Sequence, residues 1–474
     1  MLSPLSYEGG IKTRSSRFAR RFDDRCGSSV VASTTTLAGR CASHPEPRPG
    51  ARGSAAATRP TLPPGPEPAL PDGHFTRCWG ERNLGARYGC CHWVMHRRDV
   101  LKLGLGTAAA LSFGPGFWRQ ALAAPAVVGD GPYGPLGPPD GLGVRLPSGF
   151  RARLIGWTGK PVAGTGYLWH GEPDGGATFP TGDGGWVYAS NSELNGTRGG
   201  ASAVRFAADG SIVDAYRILG GTKYNCAGGA TPQGTWLSCE EFRNGRVWEC
   251  DPFRPGQGVV RPALGTFAHE AAAVDPVTGV VYLTEDDGEG RLYRFRPNRR
   301  GDLSSGRLEA AAVDRASHVR WLPVSPQRPY RGKDTTPFDR GEGAWFSGRR
   351  LYFCTTSDNK VWELDVSTDR LDVVYDAALL GDQAPLREPD NVTVHAPSGD
   401  LYVAEDADDI QLVLLANDPG GRIASPFLQF AGHTGSEVAG PAFTPDGSRL
   451  YVTSQRGFDG DGLTFEISGP FRGS

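Results

Sequence analysis

From about residue 150 onward, apolar and polar residues alternate in short runs rather than at helical spacing. RARLIGW (151–157), WVYASNSE (186–193), GTWLSCEE (234–241), RLYFCTTSDNKVWELD (350–365) and GLTFEISG (462–469) are typical. Val, Tyr, Leu, Phe and Trp at every second position, bounded by Gly, Pro and Asp, predict half-buried strands joined by tight turns. Asp376 to Leu380 is the one short stretch that reads as a helix.

The strands fall into a unit that recurs six times: a polar head, a strand, a glycine-rich turn and a second strand with a polar tail. HEAAAVDPVTGVVYLTE (Glu270 to Glu285), EPDNVTVHAPSGDLYVAE (Glu388 to Glu405) and EVAGPAFTPDGSRLYVTSQ (Glu437 to Gln455) are the clearest copies. Weaker ones start at Asp174, Cys226 and Glu342 and end near Glu193, Glu240 and Asp358. Tails lie about 45 to 50 residues apart, with one longer gap before Asp358, a period that predicts an all-β, six-bladed β-propeller. Turn residues Asp275, Pro276 and Gly279, with Pro397, Gly399, Pro445, Asp446 and Gly447, serve the hairpins themselves. The segment 298–339 interrupts the period and is expected as an insertion or lid, inside a propeller spanning 145–474.

A hairpin returns its end to the side of the sheet where it began. With the first strand of each blade innermost, the heads Asp174, Cys226, Glu270, Glu342, Glu388 and Glu437 would ring one mouth of the channel. Five carboxylates and a thiol around one axis repel one another unless cations neutralise them, so the ring predicts metal ions. Asp390 and Asn391 follow Glu388 closely as further oxygen donors. Tails Glu193, Glu240, Glu285 and Glu405 form a second tier, which could equally cap strands or pair with arginines. His269, beside Glu270, is expected to pack or support a ligand rather than to be one.

Charge sharpens this picture. The chain of 474 residues has a formal charge of −2, yet residues 124–474 carry 33 Lys+Arg against 44 Asp+Glu. That acidic part disfavours a nucleic-acid partner and favours divalent cations. The basic excess sits in residues 1–94, an Arg-, Ser-, Ala-, Pro- and Gly-rich leader of low complexity. Residues 95–123, MHRRDVLKLGLGTAAALSFGPGFWRQALA, have the anatomy of a twin-arginine export signal, with Arg97 and Arg98 before an apolar run and a small-residue cleavage site. The run from Leu103 to Phe113 is about half the roughly 20 residues that a membrane span needs. Such a signal belongs at an amino terminus, so Met95 is the expected start of the native chain, with a disordered extension as the alternative. Residues 124–144 read as a linker.

Four of the nine cysteines follow residue 123. An even number in an exported chain permits disulfides, though no pairing follows from spacing. Cys239 and Cys354 sit in apolar strands as buried thiols would. Cys226, between Asn225 and glycines, suits a ligand better than a core position.

Taken together, NCAGGATPQGTWLSCEE, HEAAAVDPVTGVVYLTEDD, RGEGAWF, EPDNVTVHAPSGDLYVAED and GPAFTPDGSRLYVTSQRG resemble the PhoX-type alkaline phosphatases over about residues 145–470. The resemblance implies a six-bladed propeller that hydrolyses phosphate esters with calcium and iron in the axial site. It implies Cys226 as an iron ligand, Glu270 and Glu342 as carboxylate ligands, and Arg340 as the phosphate-binding arginine. Asp174, Glu388, Asp390 and Glu437 are the expected calcium ligands. The chain is compact beside the better-known members, so the metal ring is expected to persist while substrate walls differ. The implied partners are a small phosphate ester and the twin-arginine translocation machinery, acting on an exported monomer with no stable membrane span. Two other readings of a propeller remain: a calcium-dependent lactonase or organophosphate hydrolase, which a thiol ligand disfavours, and a non-catalytic binding propeller, in which Arg340 would have no anion to meet.

Overall fold

The computed structural model describes residues 124–327 and 331–473. The expected leader 1–94 and the expected export signal 95–123 lie outside the described residues. Six antiparallel sheets follow one another along the chain and form a six-bladed β-propeller. Blade I runs from its inner strand Pro173–Pro180 through Trp186–Ser192 and Gly199–Phe206 to Ile212–Thr222 at the rim. The inner strands of blades II to VI are Asn225–Ala230, His269–Val274, Gly341–Ser347, Pro389–His395 and Val438–Phe443.

Blade VI borrows its outermost strand from the other end of the chain. Arg151–Trp157 pairs antiparallel with Asp461–Ser468, from Leu463↔Trp157 to Ser468↔Arg151. Joining first and last segments by a hydrogen-bonded ladder closes the ring and leaves no open interface between the first and last blades.

Packing explains the sequence pattern. Inner strands are buried along almost their whole length because each lies between two neighbouring blades. Six apolar clusters sit one at each blade interface: Ala177, Val187 and Leu219 of blade I meet Trp236 and Cys250 of blade II, for example. At the closing interface Tyr188 of blade I stacks on Tyr451 of blade VI at 4.4 Å and 17°. Each large side chain buried this way contributes on the order of 1.5–3 kcal/mol.

Two segments differ from expectation. Of the expected insertion 298–339, Gly306–Val313 is the fourth strand of blade III and Val319–Pro323 a fifth, so part of it belongs to the sheet of that blade. Leu308, Ala310 and Trp321 pack as strand residues do, which the long Arg-rich flanks mask in the sequence. The expected linker adds two short strands, Val127–Val128 and Val144–Arg145, to the outer strand Gly421–Phe430 of blade V. It thereby covers an edge that would otherwise be open to pairing. The short helix forms at Ala377–Leu380, with the Asp376 side chain accepting from the Ala378 amide. Among the described residues no helix is long and apolar enough to cross a membrane.

Candidate metal centre

One backbone hydrogen bond recurs in all six blades and defines the mouth of the channel. The amides of Glu193, Glu241, Asp286, Thr356, Asp406 and Gln455 donate to the carbonyls of Glu172, Tyr224, Ala268, Arg340, Glu388 and Glu437, at 2.7–3.2 Å. Each bond ties the end of a blade's second strand to the residue that leads into its first. In blades I, II, IV and V that leading residue has a positive φ of 45–53°, a left-handed kink that turns the chain toward the axis.

Immediately afterwards the ladder slips. The register shifts between Pro173 and Gly176, Asn225 and Gly228, His269 and Ala272, Gly341 and Ala344, and Pro389 and Val392. A β-bulge re-aims the residue within it. The bulged residues are Asp174, Cys226, Glu270, Glu342 and Asp390, all buried around the axis. Blade VI has Ala439 at the matching position, where the bulge falls slightly later.

The bulges bring donor atoms together in three adjoining groups: Asp174, Glu193 and Cys226; Cys226, Glu241 and Glu270; and Glu270, Glu342 and Asp390. Within each group one ligand atom per residue lies within 4.8 Å of the others. Cys226 and Glu270 are each shared by two groups, so the three run continuously around the axis.

Electrostatics show what this ring lacks. Both carboxylate oxygens of Glu270 are buried without a hydrogen-bond partner. Burial, then the charges of Glu241, Glu342, Asp390 and Asp174, hold its pKa well above the ordinary value. Burial likewise raises Asp390, Glu241 and the Cys226 thiol well above their usual ranges, with neighbouring carboxylates adding to the effect. Glu342 is pushed up to about 8 by burial and Asp286, against the pull of Arg340 and Thr356. Asp174 rises to about 6 through burial, partly offset by hydrogen bonds from Gln455 Nε2 and the Gly175 amide, each 2.5 Å. A buried carboxylate with no partner is costly, and a cation is the partner that satisfies several at once. The residues therefore fit a metal centre: Glu270, Glu342 and Asp390 offer only oxygen, which suits a hard cation, while Cys226 adds a soft donor that selects a transition metal.

Above the ring opens a cavity of about 190 Å3 lined by seven carboxylates, Cys226, Thr356 and two arginines. Arg340 donates from Nε and Nη2 to Asp286 at 2.9 and 3.2 Å, and Nη2 lies 3.1 Å from Glu342. Arg456 pairs through Nη1 with Glu437 at 2.8 Å. Both side chains are about two-fifths exposed, at 42% and 40%, and both line the cavity.

The structure thus assembles Asp174, Cys226, Glu270, Glu342 and Asp390 and sets Arg340 and Glu437 above them, but it leaves Glu388 out. Glu388 is exposed and borders a separate outer cavity with Asp408 and Asp409. It occupies the leading position of its blade, equivalent to Arg340, and the bulge two residues later delivers Asp390 in its place. The tails shift by one residue for a related reason: neighbouring strand residues face opposite sides. Glu193 lines the cavity as expected, whereas Glu241, Asp286 and Asp406 do so in place of Glu240, Glu285 and Glu405. The displaced carboxylates cap turns. Glu240 accepts from the Arg246 amide, Glu405 from the amides of Arg387 and Gln411, and Glu285 from Tyr293 and the Arg291 amide. Glu285 also pairs with Arg331. The acidic doublets EE, ED and ED are the sequence signal for this choice. Arg456, directly after tail Gln455, is a site residue that the repeat pattern does not single out.

His269 faces a blade interface. Its ring lies 3.7 Å from that of Phe267, Nε2 donates to Gly265 O at 3.3 Å, and burial lowers its pKa to about 3. Cys239, Cys250 and Cys354 are buried thiols, and no disulfide joins the four described cysteines.

Comparison with known proteins bears on this geometry. Residues 183–248 and 243–378 match the family described as alkaline phosphatase PhoX. Among solved structures, Pseudomonas fluorescens PhoX in complex with vanadate, a transition state analogue, is similar with a TM-score of 0.57 and 18% identity, covering 73% of this chain and 97% of that one. A gluconolactonase from Xanthomonas campestris has a TM-score of 0.40 and 15% identity over 72% of this chain and 99% of its own. No curated protein matches the chain by sequence.

Proposed function

Since residues 183–378 of this chain match the family of PhoX alkaline phosphatases, we propose that its axial cavity hydrolyses phosphate esters using calcium and iron held by the ring beneath. The observation that carries this reading is the buried carboxylate of Glu270, unpartnered at both oxygens and flanked by Cys226 on one side and by Glu342 and Asp390 on the other. Iron suits the groups that contain the Cys226 sulfur, and calcium suits the carboxylate-only group. When bound, the cations supply Lewis acidity toward the phosphoryl oxygens.

The chain's own residues do the rest. Arg340, held through Nε and Nη2 by Asp286 and Glu342, has Nη1, which none of these bonds uses, to donate to a phosphate oxygen in the cavity. Arg456, anchored by Glu437, offers a second cationic arm. Both are fixed by carboxylates before substrate arrives, so charge developing on the phosphoryl group meets donors already in place. The cavity of about 190 Å3 has room for a phosphoryl group, and its lining holds no aromatic or aliphatic side chain, so an ester's organic part projects toward solvent.

Export through the twin-arginine pathway, which moves folded proteins, accords with residues 95–123 and with a centre loaded before translocation. Elemental analysis of the protein expressed from Met95, with hydrolysis of a chromogenic phosphomonoester by wild type, Cys226→Ala and Arg340→Ala, tests the reading. Iron and calcium in the wild type, with iron lost in Cys226→Ala and turnover lost in both variants, is the expected result. Calcium alone, with no turnover in the wild type, would overturn it in favour of a lactonase-like or binding propeller.

A further inference from the structure

The bulge that aims Cys226 at the axis has a backbone cost, and a residue of the neighbouring blade meets it. In blade II the ladder jumps from Asn225↔Glu240 to Gly228↔Ser238, which leaves Cys226 and Ala227 without ladder partners. Buried carbonyls in that condition need donors. Asn191, on the second strand of blade I, provides them: its Nδ2 donates to Cys226 O at 3.0 Å and to Ala227 O at 2.8 Å.

The other end of the same amide is equally committed. Asn191 Oδ1 accepts from Trp236 Nε1 at 2.9 Å and from Ser238 Oγ at 2.8 Å. Ser238 Oγ accepts from Asn225 Nδ2 at 2.9 Å, and Asn225 Oδ1 accepts from Thr222 Oγ1 at 2.7 Å. Two carbonyls on one side and two donors on the other allow only one orientation of the amide, because a flip would set oxygen against oxygen. Asn191, Ser238 and Asn225 are fully buried, so the network is sealed from water, and loss of any member leaves polar groups unmet.

The equivalent second-strand position behaves differently elsewhere. Thr284 accepts from the Ala271 amide of its own blade, and the single Thr453 hydroxyl proton is shared between Pro173 O and Ala439 O. Blades II, IV and V carry Cys239, Cys354 and Ala404 there. Among the described residues, Asn191 alone holds the bulge that bears the thiol.

We infer that Asn191 is the positioning residue for the axial thiol, clamping the Cys226–Ala227 bulge from across the blade I–blade II interface so that sulfur sits at ligand distance from Asp174, Glu193, Glu241 and Glu270. It acts through backbone carbonyls and touches no substrate. The role rests on the reading of Cys226 as a metal ligand.

The test compares wild type, Asn191→Ala, Asn191→Asp and the control Thr453→Ala, which removes a hydroxyl donor to backbone carbonyls of blades I and VI at the equivalent strand position. The first readout is alkylation of each cysteine in the chelated protein, resolved by peptide mass spectrometry; the second is iron and calcium bound per chain. Both Asn191 variants are expected to label Cys226 roughly tenfold faster, as follows from losing two modest hydrogen bonds, with Cys239, Cys250 and Cys354 still protected and iron lost before calcium. Thr453→Ala is expected to melt lower with Cys226 still protected. Should Asn191→Ala fail to fold, Ser238→Ala removes one anchor of the amide oxygen and shifts Cys226 labelling in the same direction by less. Unchanged labelling of Cys226, or faster labelling of all four cysteines together, would refute the clamp. Absence of phosphatase turnover in the wild type would instead refute the functional reading, and the labelling result would stand apart from it.

Discussion

Glu270→Gln separates a metal centre from a mere acidic funnel, because the substitution should change sign with the metal. In the metal-free protein the buried, unpartnered Glu270 carboxyl folds most cheaply by taking up a proton. Its pKa is raised in the folded state and ordinary, 4.5, in the unfolded state. The native state therefore binds more protons, and wild-type stability falls as pH rises above about 4.5. The unfolded value alone sets the most that this proton can cost at about pH 8: about 3.5 pH units at about 1.36 kcal/mol each, or at most about 5 kcal/mol. Neighbouring carboxylates share protons with it, which lowers the expected effect to about 2–5 kcal/mol. Glutamine has the shape of the protonated acid and leaves a similar polar group unmet, so the difference between the two proteins is mainly that proton cost. In chelator, Glu270→Gln should be about 2–5 kcal/mol more stable than wild type at about pH 8, with the gain vanishing near pH 4.5. With metals present it should be less stable, having lost a ligand shared by two groups. Urea denaturation followed by tryptophan fluorescence, with and without chelator at both pH values, measures all four quantities. A chelated variant no more stable than wild type at pH 8, or a gain independent of pH, would refute the argument.

Four further outcomes are expected. The metal-free wild type should lose stability steadily from about pH 4.5 to about pH 8, because burial raises Asp174 to about 6, Asp406 to about 7, and Glu193 and Glu342 to about 8; a thermal-melt series in chelator checks this, and added calcium and iron should flatten the slope. Arg456→Ala should raise KM for a phosphomonoester by roughly 10- to 100-fold, the range for a lost charge-assisted hydrogen bond, with Arg456→Lys in between; unchanged steady-state constants would remove that arm. Glu388→Gln should leave metal content and turnover as they are, since that side chain is exposed and outside the axial cavity. Gly343→Ala should cost about 1–3 kcal/mol in denaturant titration, because a Cβ there would stand 2.6 Å from Asn391 Cα, between the bulges of blades IV and V.

Much of the molecule is legible in its amino-acid sequence. Alternating apolar residues and Asp-, Pro- and Gly-marked turns dictate strands and hairpins locally. A hairpin repeated six times has few ways to bury its faces other than stacking blade against blade. Asp174, Cys226, Glu270 and Glu342 can be found as heads for the same reason, since a hairpin's start and end share one side whatever surrounds them. The acidic balance of residues 124–474 points to cations, and a cysteine between Asn225 and glycines stands out against Cys239 and Cys354 in their apolar strands.

Register is decided only in three dimensions. Whether Glu388 or Asp390 reaches the axis depends on the bulge that follows Pro389, and whether Glu240 or Glu241, Glu285 or Asp286, Glu405 or Asp406 faces the cavity depends on a one-residue slip. In a strand that slip exchanges inward for outward. No single strand fixes it: the recurring amide-to-carbonyl bond sets it within each blade, and the close approach of glycine- and alanine-rich inner strands sets it between blades. The same holds for Arg456, for the closure of blade VI by Arg151–Trp157, for the added strands of blade III, and for the bonds from Asn191 to Cys226 and Ala227. The bonds of Asn191 and the closure of blade VI join residues 35 and more than 300 positions apart, so they arise only when the blades pack.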